Sequence, residues 1–388
     1  MTGSSTPETL LDDDLLQRFR DRAARYDRDN AFFHEDLAEL RDAGYLRALV
    51  PVEFGGLGWR LEDAVRAQIR LAGADPATAL GVNMHLVWTG VASLLHARGD
   101  DALEFLLREA ADGEVFAFGI SEAGNDLMLF GSRTEADPQA DGSYRYTGRK
   151  IFTSLSPAWT RLGTTGLDTT SPDAPKIVYG FIDREDPDVR ILDDWDTLGM
   201  RASQSRTTVL DGAAAASDRI VRRLDPGPNP DPLVFAIFAC FELLLGAVYT
   251  GIAARALDLA VAAAKRRTSM KTGATLSQEP DVRRRIADAA LLHDAIEPQL
   301  VGLARDVDAQ VDHGAYWFAK LSGVKVRATE TAREVVDRCV RVAGGSTYFA
   351  GDELGRLQRD VLAGVFHPST DDSARQTIAN AWLGPVDA

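Results

Sequence analysis

The apolar run from Leu233 to Ala254, LVFAIFACFELLLGAVYTGIAA, constrains the fold more than any other stretch, because its 22 residues carry a single charge, Glu242. A helix of this length can span a bilayer. It can also form the centre of a bundle, apolar all round because other helices surround it. The helical pattern continues as RALDLAVAAAKRR, amphipathic and then basic, which favours a long bundle helix. We therefore expect no membrane span.

Length, charge and cysteine usage narrow the functional class. A chain of 388 residues exceeds the ~250–300 residues at which a single core stops growing, which predicts two or three packed units. The net charge of −15, without a long basic run, disfavours nucleic-acid binding. Cys240 and Cys339 stand in apolar helical sequence, so we expect buried thiols in a cytoplasmic protein. The N-terminal stretch MTGSSTPETLLDDD has neither a basic n-region nor an apolar h-region, and we expect no secretory signal there.

The pattern of apolar and turn-forming residues changes twice along the sequence. Residues 1–112 show helical spacing of apolar residues, whereas residues 113–225 hold short β-prone runs separated by Asp, Gly, Pro and Ser clusters. Residues 226–388 return to helical patterns after the linker RRLDPGPNPDP. The expected fold class is α+β, mainly α: an N-terminal helical domain, a middle antiparallel β domain and a C-terminal helical bundle. Helices of that bundle are expected at 233–267, about 280–312, about 315–343 and about 353–383.

Five motifs occur in a fixed order along this plan: LRDAGYLRALVPVEFGGLGW, FAFGISEAGND, GRKIFTS, TLGMRASQSRTTVLDGAAA and VAGGSTYFAGDELGRLQRDV. Together they resemble the acyl-CoA dehydrogenase superfamily of flavoproteins, across nearly the whole chain. The resemblance implies an acyl-CoA dehydrogenase-like fold, a tightly held FAD and a homodimer or homotetramer. Members abstract a proton beside a thioester and pass a hydride to flavin N5. Some relatives instead use reduced flavin and O2 to hydroxylate small molecules.

The same resemblance assigns residues to the flavin ring. By match to the strand motifs, Phe118, Ile120 and Ser121 line its pyrimidine side, Phe152 takes the stacking position, and Ser154 takes the hydroxyl position near N5. An isoalloxazine needs apolar planes and hydrogen-bond donors of this kind. The alternative for Phe118 and Phe152 is that both are core residues of their strands.

A second set matches the part of the family that holds the FAD pyrophosphate and adenosine, which normally reach across to a neighbouring subunit. It comprises Arg267, Ser269, Arg341, Gly344 and Gly345. Arginine grips phosphate with two charge-assisted hydrogen bonds, and glycine allows close backbone approach. The match is imperfect, because Met-Lys replaces the usual Phe-Gly after Ser269, and Arg341 replaces a glutamine. The alternative for Arg267 is a solvated basic helix end.

The catalytic glutamate of the family's dehydrogenases is absent. Counted from the Arg-Asp signature, its place in the turn near the end of the chain falls on Pro368, and a second location used by some relatives falls on Phe241. The loop SEAGND is also two residues shorter than the family pattern, which should reshape the mouth of the pocket.

Three side chains can substitute for the missing base. His367 adjoins the vacant position and titrates near neutral pH. Glu242 is an isolated charge in an apolar run, and such charges are often functional. His85 lies in a helical region that borders the substrate cavity in this fold. The alternatives are a turn histidine stacked on Phe366, a buried pair of Glu242 with Arg255 or Arg341, and a satisfied core histidine. Asp371 and Asp372 more simply begin the last helix.

Three functions remain open. The favoured function is a flavin-dependent monooxygenase that hydroxylates a small aromatic or secondary-metabolite substrate, using FAD, FMN or reduced flavin supplied by a separate reductase. For it, Ser154, His367 and His85 are the candidate catalytic groups. The alternative is an acyl-thioester dehydrogenase with a relocated base, Glu242 or His367, which passes its electrons to an electron-transfer flavoprotein. The third is a non-enzymatic flavoprotein scaffold. No metal is expected, since His293 and Glu297 have helical spacing but no second ligand pair accompanies them.

Overall fold

A computed structural model describes residues 6–386, which form helices, then a sheet, then helices again. This order confirms the expected fold class. Residues 1–5, part of the stretch that we expect not to be a secretory signal, and residues 387–388 lie outside the described residues. The element type changes between Ala111 and Phe116 and between Leu224 and Pro232, close to the expected domain boundaries. The division into domains itself remains a prediction.

The helices that precede the sheet are α1 (Pro7–Leu10), α2 (Asp13–Asp29), α3 (His34–Asp42), α4 (Leu61–Ala72), α5 (Pro76–His96) and α6 (Glu104–Ala111). Their ends follow local sequence. Asp12 accepts a hydrogen bond from the Leu15 N–H at 2.8 Å, and Asn30 adopts a left-handed conformation after α2. Asp75 caps α5, and Pro76 occupies its first turn, where the missing N–H costs nothing.

The sheet contains β1 (Phe116–Gly119), β2 (Glu135–Pro138), β3 (Tyr144–Thr153), β4 (Arg161–Asp168), β5 (Lys176–Asp183), β6 (Val189–Ile191), β7 (Arg206–Ala215) and β8 (Ile220–Leu224). Its strand order is β6-β7-β3-β2-β4-β5-β8, with β1 paired to β4. Most strand pairs are antiparallel, as expected, but β1 pairs with β4 in parallel and one further residue pair joins β2 to β4 in parallel. The chain between β1 and β4 makes its own excursion through β2 and β3, which is long enough for a parallel return.

The helices after the sheet are α7 (Pro232–Arg266), α8 (Pro280–Asp294), α9 (Glu297–Asp308), α10 (Trp317–Ala343), α11 (Glu353–Asp360) and α12 (Asp371–Leu383). The single helix expected at about 280–312 is broken before Pro298, so His293 and Glu297 lie on different helices. The helix expected at about 353–383 is interrupted by a 3-10 turn at Val361–Val365 and by His367-Pro368. Asp371 and Asp372 do begin the last helix, which Thr370 caps.

Helix α7 is the centre of the C-terminal bundle and packs against α10, α5 and α4. Helices α5 and α7 are each long and apolar enough to cross a membrane, yet 94% and 89% of their most apolar windows are buried inside the protein. That burial is typical of core helices. The two helices approach closely at Gly90, where a Cβ would lie 3.0 Å from the Cys240 sulfur. Cys240 and Cys339 are both free and buried, as expected.

Candidate active site

Phe152 stands out at the end of β3. Its neighbours Lys150 and Thr153 are fully buried, but Phe152 itself is 54% exposed. Its backbone is left-handed, with φ at +57°, a conformation that costs a bulky residue on the order of 1–3 kcal/mol. The Trp195 ring meets it edge-on, with centroids 6.1 Å apart. An exposed aromatic ring on strained backbone suits the stacking position proposed for it better than the core alternative.

Ser154 begins a chain of buried hydroxyl groups. Its oxygen lies 2.7 Å from the Ser205 oxygen, which lies 2.9 Å from the Ser203 oxygen. All three serines are buried. Ser203 and Ser205 stand in the motif TLGMRASQSRTTVLDGAAA. Only the fold brings the Ser205 hydroxyl within hydrogen-bonding distance of Ser154.

Phe118 and Ile120 are buried in the core. The Phe118 ring stacks on Phe241 at 5.4 Å and lies 5.3 Å from Trp88. This packing matches the core alternative for Phe118. Ser121 is half-buried, and its carbonyl accepts a hydrogen bond from the Ile151 N–H at 2.9 Å, which joins the end of β1 to β3 beside Phe152.

A buried ion pair anchors the shortened loop after β1. The Lys150 ammonium lies 2.7 Å from Glu122 Oε1 and donates to the Thr165 carbonyl at 2.7 Å. Glu122 also accepts hydrogen bonds from the backbone N–H groups of Arg133 and Thr134. Burial alone would raise the pKa of Glu122, but Lys150 and these hydrogen bonds lower it to about 2, while burial lowers the pKa of Lys150 to about 8. Glu122 and Lys150 stand in the motifs FAFGISEAGND and GRKIFTS, but nothing in the local sequence predicts that they pair.

The residues assigned to phosphate fall into two groups. Arg267 donates to the carbonyl of Ala343, and a Cβ at Gly344 would lie 3.0 Å from its guanidinium. Gly344 has φ +78°, and Gly345 is exposed with open space at its Cβ position. The fold therefore brings Arg267, Gly344 and Gly345 together, as the resemblance implies.

Ser269 and Arg341 are placed less directly. Ser269 lies in the turn after α7, where its carbonyl accepts from the Gly273 N–H at 2.9 Å. Arg341 is exposed and forms an ion pair with Asp337 on its own helix, at 2.8 Å. Neither geometry tests a role in binding phosphate.

Glu242 is fixed to the turn that carries His367. Its Oε1 accepts hydrogen bonds from the Ser369 N–H at 3.0 Å and from the Ser369 hydroxyl at 2.7 Å. Its buried Oε2 has no hydrogen-bond partner within residues 6–386. Burial raises the pKa of Glu242, and the Lys325 ammonium offsets part of this effect. The alternative, a buried pair with Arg255 or Arg341, is not observed, because those residues bind Glu353 and Asp337.

Lys325 stabilises the same turn from α10. Its buried ammonium donates to the carbonyls of Gly364, His367 and Ser369, at 3.2, 2.7 and 2.8 Å. Burial lowers the pKa of Lys325 to about 8, and Glu242 acts in the opposite direction. Two charged side chains, from α7 and α10, therefore hold the turn by its backbone.

His367 faces Tyr249, with ring centroids 5.8 Å apart, while Phe366 is largely exposed. The alternative, a turn histidine stacked on Phe366, is therefore not observed. Its buried Nε2 has no hydrogen-bond partner in the described chain. Burial and the nearby Lys325 charge lower the pKa of His367 to about 3, so the ring is neutral near pH 7. A neutral ring with an unused nitrogen suits hydrogen bonding to a ligand better than proton abstraction.

Both ring nitrogens of His85 contact backbone groups. Its Nε2 lies 2.6 Å from the Leu46 carbonyl oxygen and its Nδ1 accepts from the Phe116 N–H at 3.1 Å. Burial lowers the pKa of His85 to about 4. This geometry matches the alternative of a satisfied core histidine and leaves neither nitrogen for a substrate.

A cavity of about 620 Å³ lies on another part of the molecule, between α5, α9 and the loop before α4. Its lining includes Trp59, Arg98 and Cys240, and none of the residues assigned to the flavin. The candidate site is therefore defined by its side chains and not by a cavity. They are the exposed ring of Phe152, the buried hydroxyl of Ser154, and Arg267 beside the open backbone of Gly345. An aromatic ring and a hydroxyl of this kind suit a flavin ring, and an arginine beside glycine backbone suits a flavin phosphate.

Comparison with known proteins agrees with this fit. The acyl-CoA dehydrogenase N-terminal domain matches residues 14–114, and the acyl-CoA dehydrogenase C-terminal domain matches residues 243–372. L-evernosamine nitrososynthase of Micromonospora sp. is 31% identical over 367 residues, which cover 91% of this chain and 84% of that protein. Dibenzothiophene monooxygenase of Rhodococcus erythropolis is 27% identical, with 91% and 88% covered.

A solved structure extends the likeness to the whole fold. KijD3, in complex with FMN and dTDP-3-amino-2,3,6-trideoxy-4-keto-3-methyl-D-glucose, superposes with a TM-score of 0.87 and 28% identity, covering 100% of this chain and 95% of that one. Matches to both domains, together with a relative more than 30% identical along most of its length, show that this chain belongs to the acyl-CoA dehydrogenase family of flavin-dependent oxidoreductases.

Proposed function

We propose that this protein is a flavin-dependent monooxygenase that uses O2 and reduced flavin to oxidise a small molecule. The proposal is carried by Pro368, on which the position of the dehydrogenase base falls when counted from the Arg-Asp signature, in a turn held by Glu242 and Lys325. Proline cannot accept a proton. Oxygen transfer needs no base at this position, because no carbon–hydrogen bond beside a thioester has to be broken.

The neighbouring groups support this reading. Glu242 Oε1 already binds two donors of Ser369, so the carboxylate positions the turn. His367, with a pKa lowered to about 3, is a weak base near pH 7 but can hydrogen bond to an oxygen or nitrogen atom of a ligand. When bound, the flavin supplies the oxygen-activating chemistry. Phe152, Ser154 and His367 bind and orient the reactants.

We further propose that the substrate is an amine, and more narrowly an amino sugar carried on a nucleotide. The support is that relatives at 31% identity, spanning more than nine tenths of this chain, are nitrososynthases named for amino sugars, and that KijD3 binds a dTDP-amino sugar. An unprotonated amine nitrogen offers the lone pair that an electrophilic oxygen needs. An aromatic heterocycle is the second class, supported by the likeness to dibenzothiophene monooxygenase.

The identity of the flavin belongs to the same proposal. The resemblance implies FAD, whereas KijD3 binds FMN. The exposed pair of Arg267 and Gly345 can accept either the phosphate of FMN or the pyrophosphate of FAD. We propose a cytoplasmic enzyme that receives reduced flavin from a separate reductase.

We also propose a homodimer or homotetramer. Exposed apolar side chains stand within four residues of Arg267 or Gly345 along the chain, and a second copy would bury them. They are Met270, Tyr348 and Phe349.

Anaerobic mixing with saturated acyl-CoA thioesters tests the proposed function. The flavin-loaded protein should keep its oxidised absorption spectrum, because no side chain can take the α-proton. After chemical reduction and admission of O2, an amino-sugar nucleotide should be consumed. Bleaching of the oxidised flavin by a saturated thioester would support dehydrogenation instead, and the variants Glu242→Gln and His367→Gln would then locate its base.

A further inference from the structure

We propose that Ser205 is a positioning residue that allows the Ser154 hydroxyl to serve both redox states of the flavin. The inference rests on the proposed function, because it takes Ser154 to face flavin N5. It goes further by assigning a role to the two hydroxyls behind Ser154, those of Ser205 and Ser203.

The three oxygens form a continuous hydrogen-bonded chain. Ser154 and Ser205 are 2.7 Å apart, and Ser205 and Ser203 are 2.9 Å apart. Either oxygen of each pair can be the donor. The chain has no built-in direction, since each hydroxyl has one proton and two lone pairs.

Backbone contacts fix the positions of these oxygens. The Leu155 N–H donates to the Ser203 carbonyl and the Ser156 N–H donates to the Gln204 carbonyl, both at 3.3 Å. Gln204 has φ +42°, a left-handed conformation that the surrounding contacts must stabilise. The serine chain can therefore change the direction of its hydrogen bonds by rotating hydroxyl protons, without moving any heavier atom.

The two redox states of a flavin make opposite demands on one hydroxyl. N5 of the oxidised ring is a hydrogen-bond acceptor, whereas N5 of the reduced ring carries a proton and is a donor. In the oxidised state Ser154 donates to N5 and accepts from Ser205. In the reduced state Ser154 accepts from N5–H, and its own proton turns to the Ser205 oxygen. Without Ser205, the Ser154 proton would have no acceptor in the reduced state.

The loss of Ser205 should therefore penalise one redox state more than the other. A buried donor without a partner costs more than a buried acceptor without one. In the Ser205→Ala protein with reduced flavin bound, the hydroxyl proton of Ser154 has no acceptor. With oxidised flavin bound, Ser154 still donates to N5 and only one lone pair of its oxygen lacks a donor. We expect Ser205→Ala to weaken the binding of reduced flavin about tenfold more than the binding of oxidised flavin.

Equilibrium titration tests this difference without measuring turnover. FMN is titrated into the full-length apoprotein, first oxidised in air and then reduced with dithionite under nitrogen. The compared quantity is the ratio of the two dissociation constants. Ser205→Thr retains the hydroxyl and should restore the wild-type ratio. Ser156→Ala is the matched control, because its buried hydroxyl donates to the Thr153 carbonyl at 2.6 Å outside the serine chain.

The outcomes separate this inference from the proposed function. A wild-type protein that binds neither form of FMN or FAD contradicts the flavin site itself. If the wild type binds both forms and Ser205→Ala leaves the ratio unchanged, the role of Ser205 is wrong while the flavin site stands. If Ser205→Ala does not fold, Ser203→Ala shortens the chain by one hydroxyl. It should shift the ratio in the same direction but by less, and an unchanged ratio contradicts the inference.

Discussion

Glu242 on α7 accepts hydrogen bonds from both the backbone N–H and the hydroxyl of Ser369, the second residue after His367. An isolated charge in an apolar helix thereby fixes a turn 127 residues away along the chain. We propose that Glu242 is a positioning residue, which would account for a buried carboxylate beside Pro368.

Two substitutions at Glu242 separate positioning from acid–base chemistry. Glu242→Gln keeps an acceptor oxygen for Ser369, so most of the turnover should remain. Glu242→Ala strands the buried Ser369 N–H and should lower the free energy of unfolding by about 1–3 kcal/mol, with a matching loss of turnover. Chemical denaturation and steady-state turnover measure the two effects. Exposed Glu334→Ala is the control, and a folded, flavin-binding Glu242→Gln protein without activity would contradict the positioning role.

Lys150→Met should be strongly destabilising, because it leaves the Glu122 carboxylate buried without its cation. Removing one partner of a buried ion pair typically costs about 3–5 kcal/mol. Thermal unfolding measures the loss. Lys176→Met is the matched control, since its ion pair with Asp225 is partly exposed and should contribute less than about 1 kcal/mol. Equal effects of the two substitutions would show that the Glu122 loop does not depend on Lys150.

Arg267→Gln distinguishes the two candidate flavins. If the pyrophosphate of FAD lies against Arg267 and Gly345, this substitution should weaken FAD binding about tenfold or more by removing a charge-assisted contact. FMN binding should fall comparably only if its single phosphate uses the same arginine. Arg333→Gln serves as the control, because Arg333 is exposed and paired with Glu330 on its own helix. Fluorescence titration gives both constants, and an unchanged affinity for both flavins would remove Arg267 from the site.

His85 should make the protein less stable in acid. The unfolded chain binds a proton at this imidazole below about pH 6.5, whereas the folded protein keeps it neutral down to a pKa of about 4. Stability present above pH 6.5 is therefore lost as the pH falls from 6.5 towards 4, by up to roughly 3 kcal/mol at about 1.4 kcal/mol for each pKa unit.

The His85→Gln protein tests this dependence. It should be less stable above pH 7, because glutamine cannot satisfy both the Leu46 carbonyl and the Phe116 N–H. Its stability should nevertheless decline less than that of the wild type between pH 6.5 and 4. Chemical denaturation between pH 7 and pH 4 gives the free energy of unfolding of both proteins. If this free energy declines equally in the wild type and in His85→Gln below pH 6.5, the lowered pKa of His85 is contradicted.

The sequence predicts the large features of this fold because they depend on local pattern. The apolar run around Glu242 predicts α7, and the Asp, Gly and Pro clusters predict the strands. The break before Pro298 also has a local cause. The parallel pairing of β1 with β4 does not, because it depends on the path of the chain through β2 and β3.

Some residues of the candidate site can likewise be predicted from local sequence, whereas others cannot. Pro368 at the base position is evident from the sequence, whereas the contacts that complete the site join residues far apart. Lys325 reaches the His367 carbonyl across 42 residues, and Ser154 meets Ser205 across 51. Nothing in the local pattern around Lys325 distinguishes it from a surface lysine of α10. The pairing of hydroxyls likewise depends on the backbone of the turn that carries Ser203 and Ser205.

The most direct test of the central claim is the fate of molecular oxygen. The wild-type protein is incubated under ¹⁸O2 with a flavin reductase, FMN and an amino-sugar nucleotide. The mass of the product is then measured by mass spectrometry. We expect one or more ¹⁸O atoms in the product, bound to the amine nitrogen. Unlabelled product together with reduction of the oxidised flavin by a saturated acyl-CoA would contradict it.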